Sequence, residues 1–132
     1  MRLLTHNYLK SNVRGTENGY PLAIEATKIV YEESPIDKEL IKQILQKMNY
    51  SVLKTSIQEI APLCAKSDIL IDEVPDQLQD MNTEIDTKTM ENIHKVLFDI
   101  HVTEGALICP DTGRRFPIVQ GIPNMVLHED EI

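Results

Sequence analysis

The chain has 132 residues, 42% of them hydrophobic, enough for one compact unit that buries about two-thirds of its unfolded surface without disulfide staples. Thirteen Lys and Arg stand against 21 Asp and Glu, a net charge of −8 that a phosphate backbone repels, so direct binding of nucleic acid is disfavoured. Cys64 and Cys109 lie far apart and form no CxxC pair, the start MRLLTHNYLK has no signal-peptide apolar core, and no apolar run reaches the ~18 residues of a membrane span. A soluble protein of a reducing compartment, cytoplasm or nucleus, is expected, with no membrane attachment.

Residues 2–19 carry short apolar groups, Leu3-Leu4, Tyr8-Leu9 and Val13, ahead of a turn-rich stretch that ends at Gly19. Strand and short helix are both open here. Residues 21–31, PLAIEATKIVY, mix β-branched and aromatic residues with Leu22, Ile24 and Ala26 on one face, and read as a strand. Ser34-Pro35-Ile36-Asp37 reads as a helix start, with Ser34 as cap and Pro35 at the first helical position. Ile36, Leu40, Ile41, Ile44, Leu45 and Met48 follow at helical spacing, with Asn49 as a left-handed stop.

Ser51 is then a candidate cap for a shorter helix stopped near Pro62. Residues 68–86 read mostly as loop, and the acids concentrated from 68 to 91, with Lys88 the lone cation, read as a solvated face. A third helix is expected over 88–101, with Met90, Ile93, Val96, Leu97 and Ile100 inward.

The last part is a meander. The apolar run 106–109, the turn Pro110-Asp111-Thr112-Gly113, a return over 115–119, a second reversal at Gln120-Gly121 and a run over 122–127 predict three short strands. Pro117 and Pro123 confine their strands to edges or bulges, so the sheet is expected to keep an edge or face that another chain completes. For two strand-bearing ends to share one sheet, the fold class must be α+β. Residues 1–33 and 103–132 would build a small antiparallel β lobe, and 34–102 a three-helix insertion packed on it.

Candidate chemistry is sparse. His6, His94, His101 and His128 show no HxxxH or HExxH spacing, and no GxSxG, GxxxxGK[ST] or GxGxxG is present. Cys109 reads as a small buried hydrophobe at a strand end in preference to a reactive thiol or a remnant ligand. Asp111, Arg114 and Arg115 at the hairpin tip read as solvated charges before they read as a substrate clamp. No catalytic residue and no cofactor-binding residue is assigned.

With its ends joined in this way, the sequence resembles the small activating subunit shared by several eukaryotic and archaeal methyltransferases that act on tRNA, ribosomal RNA and the translation release factor. The resemblance rests on Leu3-Leu4-Thr5-His6-Asn7, Val13-Arg14-Gly15 and Pro21-Leu22, then on Glu104-Gly105, Cys109-Pro110, Gly113, Phe116-Pro117-Ile118 and Gly121-Ile122-Pro123-Asn124-Met125. It implies a zinc-ribbon-like lobe and a non-catalytic subunit that binds methyltransferases as a heterodimer, with S-adenosylmethionine held by the partner. Many members of that family hold zinc through four cysteines. The corresponding places here are Ser11, Thr16, Cys109 and Thr112, which implies a zinc-less branch with no metal ligands.

The segments that carry the resemblance supply the candidate partner-binding residues: Thr5, His6, Asn7 and Tyr8 at the start, Phe116, Pro117 and Ile118, then Ile122, Pro123, Asn124, Met125 and Val126. Strand addition and apolar contact are the expected mode. The alternative is a free-standing zinc-ribbon-type module that contacts RNA or a translation factor, which calls for metal ligands and a basic face.

Overall fold

The computed structural model describes residues 1–69, 71 and 87–131. A short helix, α1 (Leu3–Tyr8), precedes strand β1 (Ala23–Tyr31). Three helices follow, α2 (Lys38–Lys47), α3 (Tyr50–Lys66) and α4 (Thr87–His94), the last running into a π-helical turn over Lys95–Asp99. The chain then forms β2 (Ile100–Ile108), β3 (Arg115–Val119) and β4 (Ile122–Pro123), with a single 3₁₀ turn at Glu129–Glu131. The four strands make one antiparallel sheet in the order β1-β2-β3-β4, so both ends of the chain contribute to it. The loop reading of 68–86 lies largely outside the described residues.

β1 and β2 begin and end level, Ala23 opposite Ile108 and Tyr31 opposite Ile100, but they do not pair evenly between. The register skips Thr27 on β1 and Thr103 on β2, a bulge on each strand. The core side chains change phase there: Leu22 and Ile24 are buried before the bulge and Ile29 after it, and on β2 Ile100 and Val102 give way to Leu107 and Cys109. The inward face marked by Leu22, Ile24 and Ala26 therefore changes phase after Ala26. Gly105 lies beside these bulges at φ +146°, and a Cβ there would sit 2.2 Å from the Glu25 carbonyl oxygen, so the close approach of the strands requires glycine.

The helix caps lie a few residues from the positions that local signals mark. The cap of α2 is Asp37, whose side chain accepts from the Leu40 amide at 3.1 Å; Ser34 is drawn away by Asp99, to which its hydroxyl donates. Ile36 and Leu40 consequently lie exposed, while Ile41, Leu45 and Met48 face the core. Asn49 is extended and not a left-handed stop, and it caps α3 in place of Ser51 by accepting from the Val52 amide at 3.2 Å. Pro62 does not end α3, which runs on to Lys66. Proline there deprives the Gln58 carbonyl of its helical donor, and both residues lie on the exposed side, where water can replace it.

The helix expected to reach 101 stops at Asp99, because Ile100 and Val102 turn inward with the period of a strand. Val96 and Ile100 also satisfy a four-residue helical spacing, and that ambiguity hid the boundary. Leu53, Ile60, Ile93, Leu97, Ile100, Leu107 and Phe116 are fully buried in one continuous core between helices and sheet. α3 lies against β1, and its Glu59 accepts from the Ile24 amide at 2.7 Å, which satisfies an edge-strand donor that would otherwise point away from the sheet.

Candidate functional site

The residues expected to meet a partner divide into two sets. His6 and Asn7 are buried on α1, where they hold the chain together. His6 Nε2 bonds the Leu22 carbonyl at 2.7 Å. Asn7 donates to the Asn49 carbonyl at 2.8 Å and accepts from the Asn49 amide at 2.9 Å, fixing the junction of α2 and α3. Phe116 and Ile118 are buried too, because alternate residues of β3 face inward. These four support the surface from beneath and do not form it.

The other set is accessible. Thr5 and Tyr8 point outward from α1, with Tyr8 57% exposed. Pro117, Asn124, Ile122 and Val126 are exposed on the meander, the last two at 69% and 73%, and Pro123 and Met125 are half-buried. α1 packs on α3 and on the π-helical turn, so Thr5 and Tyr8 reach the surface from a different support than the meander residues.

The meander's last run is shorter than expected. β4 pairs only Ile122 with Val119 and Pro123 with Ile118, and the Val126 amide is taken by the Asn124 side chain at 3.0 Å. Val119, absent from the candidate set, is 61% exposed directly opposite Ile122 and extends the apolar tip. The alternation of Phe116-Pro117-Ile118-Val119 was the signal that could have found it. This tip is held firmly: the Met1 ammonium donates to the Val102 and Gly121 carbonyls at 2.7 Å each, and the Gly121 amide donates to the Thr103 carbonyl at 3.0 Å.

At the opposite end of the sheet, the loop over residues 10–20 folds onto the 109–114 turn. The Ser11 amide bonds the Gly19 carbonyl at 2.9 Å, and a Cβ on Gly19 would fall 2.0 Å from the Ser11 oxygen. Asp111 accepts from the Glu17 and Asn18 amides at 2.8 and 2.6 Å. Cys109 is buried, with the Thr16 hydroxyl 3.7 Å from its sulfur. Burial pushes the thiol up. The bonds from Ser11, from the Thr112 hydroxyl and amide, and from Thr16 together outweigh it and bring the pKa from 9.0 down to about 6. Cys109 is, as expected, a buried member of the hydrophobic core, with one hydroxyl beside its sulfur.

The tip charges are equally engaged. Arg114 pairs with Glu131 and lies 4.8 Å over the Phe116 ring, while Arg115 pairs with Glu25 at 2.9 Å. Among the described residues no three His, Cys, Asp or Glu side chains gather as metal ligands. The four positions that the resemblance assigns to a metal hold one thiol and three aliphatic hydroxyls, Ser11, Thr16, Cys109 and Thr112, a set that does not suit zinc.

One further cluster joins residues too far apart for the sequence to connect. Ser34 Oγ lies 3.1 Å from His94 Nε2 and donates to Asp99 Oδ1 at 2.5 Å. Asp99 Oδ1 is 3.4 Å from that same His94 nitrogen, and His94 Nδ1 has no partner. A nucleophilic relay needs the carboxylate on the other ring nitrogen, so this trio fastens the departure of the helical segment from the sheet to its return.

A mixed α+β chain whose two ends share one sheet, locked by hydrogen bonds at one end and left apolar at the other, has the form of a small interaction module. The chain belongs to the Trm112p-like protein family, whose model matches residues 2–121. It is 35% identical over all of both chains to the multifunctional methyltransferase subunit TRM112 homolog A of Arabidopsis thaliana. It is also 35% identical to the TRM112-like subunit of Mus musculus, over 99% of this chain and 98% of that one. A chain in the structure of the E. cuniculi Mtq2–Trm112 complex, described as responsible for methylation of the eRF1 termination factor, has the same fold. It superposes with a TM-score of 0.57 and 18% identity, covering 96% of this chain and 95% of the other.

Proposed function

We propose that this chain is a non-catalytic subunit that binds S-adenosylmethionine-dependent methyltransferases acting on tRNA, ribosomal RNA and the translation release factor, and sustains their activity by stabilising them. Full-length similarity to relatives named multifunctional methyltransferase subunits supports the partner class. The single structural observation that carries the reading is the apolar tip of Val119 and Ile122, exposed although the sheet beneath it is well packed, with Val126 exposed further along the same run. Exposed apolar residues on a firmly held hairpin suit a partner contact: the backbone is already ordered, so little entropy is lost on docking. Apolar contact through this tip comes first, with Pro117, Pro123, Asn124 and Met125 around it. Strand pairing is limited to the short outer edge of β4, where Pro123 has no amide to donate.

The partner gains because a chain that binds only its folded form shifts its folding equilibrium by mass action. The cofactor and the chemistry belong to the partner, and the pair works in cytoplasm and nucleus. Co-expression with the methyltransferases of the same cell tests this. Each is expected to co-purify one-to-one and to lose solubility without the subunit, while calorimetry on the isolated chain shows no S-adenosylmethionine binding. Micromolar binding of the cofactor by the chain alone, or recovery of RNA and no methyltransferase, would overturn it.

A further inference from the structure

Where β1 ends and α4 runs into the π-helical turn, a cleft of about 520 Å³ opens between residues 31–36 and the helix. Asp99 lines it and is only 3% exposed. The contacts to its carboxylate fall on one oxygen: the Ser34 amide and hydroxyl donate to Oδ1 at 3.1 and 2.5 Å, and His94 Nε2 stands 3.4 Å from it. No described group bonds Oδ2, and that oxygen is not sealed in by other atoms. A carboxylate that has lost most of its water and keeps a free oxygen is a strong acceptor with room for a cationic donor.

The rest of the lining has the same sign. Glu33 and Glu91 are exposed along it and enter no ion pair among the described residues. Lys95, the one cation among the described residues of the lining, lies 5.2 Å over the Tyr31 ring and pairs with none of the three carboxylates. Its ammonium marks where a cation settles here, on a ring face beside acids. Exposed Ile36 adds apolar surface, and exposed Leu40 follows in the first turn of α2. Three carboxylates against one lysine, with aliphatic side chains beside them, complement a basic and apolar peptide and repel nucleic acid. We propose that this cleft docks an extended, arginine-bearing segment of another protein, with the guanidinium on Asp99 Oδ2 and over Tyr31 and an aliphatic neighbour on Ile36. Arginine suits it better than lysine, because a planar fork bonds a carboxylate and stacks on a ring at once. Lys95 leaves the ring to make room, its flexible stem keeping the ammonium in water. The cleft borders β1, whereas the apolar tip is formed by β3 and β4 at the other edge of the sheet, so the proposal stands or falls apart from the methyltransferase reading.

The test is a titration of the isotope-labelled full chain with the blocked peptide acetyl-Leu-Arg-Leu-amide, followed through backbone amide shifts. Saturating shifts are expected at Ser34, Asn92 and Asp99, with Val119 and Ile122 unmoved. Replacing the peptide's arginine by glutamine should weaken binding about tenfold or more. Asp99→Asn keeps an oxygen for Ser34 but removes the charge, and should weaken binding to a similar degree. Should that variant fail to fold, Glu33→Gln combined with Glu91→Gln, both at exposed positions, serves in its place and should also weaken binding. Lys95→Gln removes the competing cation and should tighten it, a gain that a purely structural role for the lysine would not produce. No saturation at millimolar peptide, or shifts confined to residues outside the cleft, would overturn the proposal. So would an affinity unchanged in the Asp99 or Glu33 and Glu91 variants, or equal binding of the glutamine peptide. Equal binding of spermidine would also overturn it, since the cleft would then be a general attractor of cations and not a peptide site.

Discussion

The two ends of the sheet are finished in opposite ways. At the 109–114 turn, polar groups meet polar groups: Asp111 holds two amides, the Thr16 hydroxyl lies against the Cys109 sulfur, and Arg114 pairs with Glu131. At the 119–122 turn, side chains are left without cover while the backbone beneath is tied to Met1 and Thr103. The first end uses its side chains in its own fold, and the second leaves them exposed, where the proposed partner contact would use them. That difference separates a residue whose loss costs stability from one whose loss costs binding, although both lie in hairpin turns of the same meander.

The comparison can be erased from the middle. Gly105→Val drives a Cβ into the Glu25 carbonyl at a φ that branched residues avoid, and should cost about 3 kcal/mol or more, lowering the melting temperature and weakening both ends at once. Ile122→Asp sharpens the contrast. It buries an unpaired charge only in the complex, so co-purification with the methyltransferase should be lost while the free chain melts within a few degrees of wild type. Lys47→Glu on α2 is the control and should bind normally; loss of binding there, with Ile122→Asp unaffected, would move the docking surface to the helices.

Asp111→Ala is the converse case. Removing the acceptor for two amides at an exposed turn should lower stability by about 1 kcal/mol in denaturant titration, with affinity for the partner unchanged. A further test is pH. The Cys109 thiol is held at about 6 in the fold against 9.0 unfolded, so its contribution is complete above pH 9 and is lost as pH falls through 6. Burial lowers His6 below its usual 6.5, so in acid the unfolded chain takes up that proton before the folded one does, and stability falls further below pH 6.5. The melting temperature should decline from pH 9 to pH 5.5, and Cys109→Ala should flatten the part above pH 6.5 while leaving the part below it.

Much of this architecture was legible in the sequence, and the failures have a common cause. Alternation in 21–26, helical spacing in 40–48 and 88–97, and the turn chemistry of 110–113 and 120–121 are local signals, and each marks an element that is present. The errors fell where a distant residue overrode a local preference. Asp99 took Ser34 from its helix, Asn7 held Asn49 in the extended conformation that caps α3, and solvent on one side let Pro62 stay inside it. The candidate surface was half legible for a similar reason. The segments were marked by resemblance, but which members face outward depends on strand phase, so Phe116 and Ile118 belong to the core while Val119 belongs to the tip.

The paired bulges bear on how the length of this chain can change through descent. Residues on either side of Thr27 already keep their inward and outward assignments as though it were absent, and the same is true of Thr103. Loss of one residue at either point would leave every core side chain facing inward, whereas loss of one at Ile24 or Leu107 would turn the rest of the strand inside out. Thr103 is the less dispensable of the two, because its carbonyl receives the Gly121 amide and its hydroxyl donates to the Lys28 carbonyl. Single-residue gaps among related chains are therefore expected to collect at position 27 ahead of position 103, the two places in the long strands where the ladder can change its count without changing its faces.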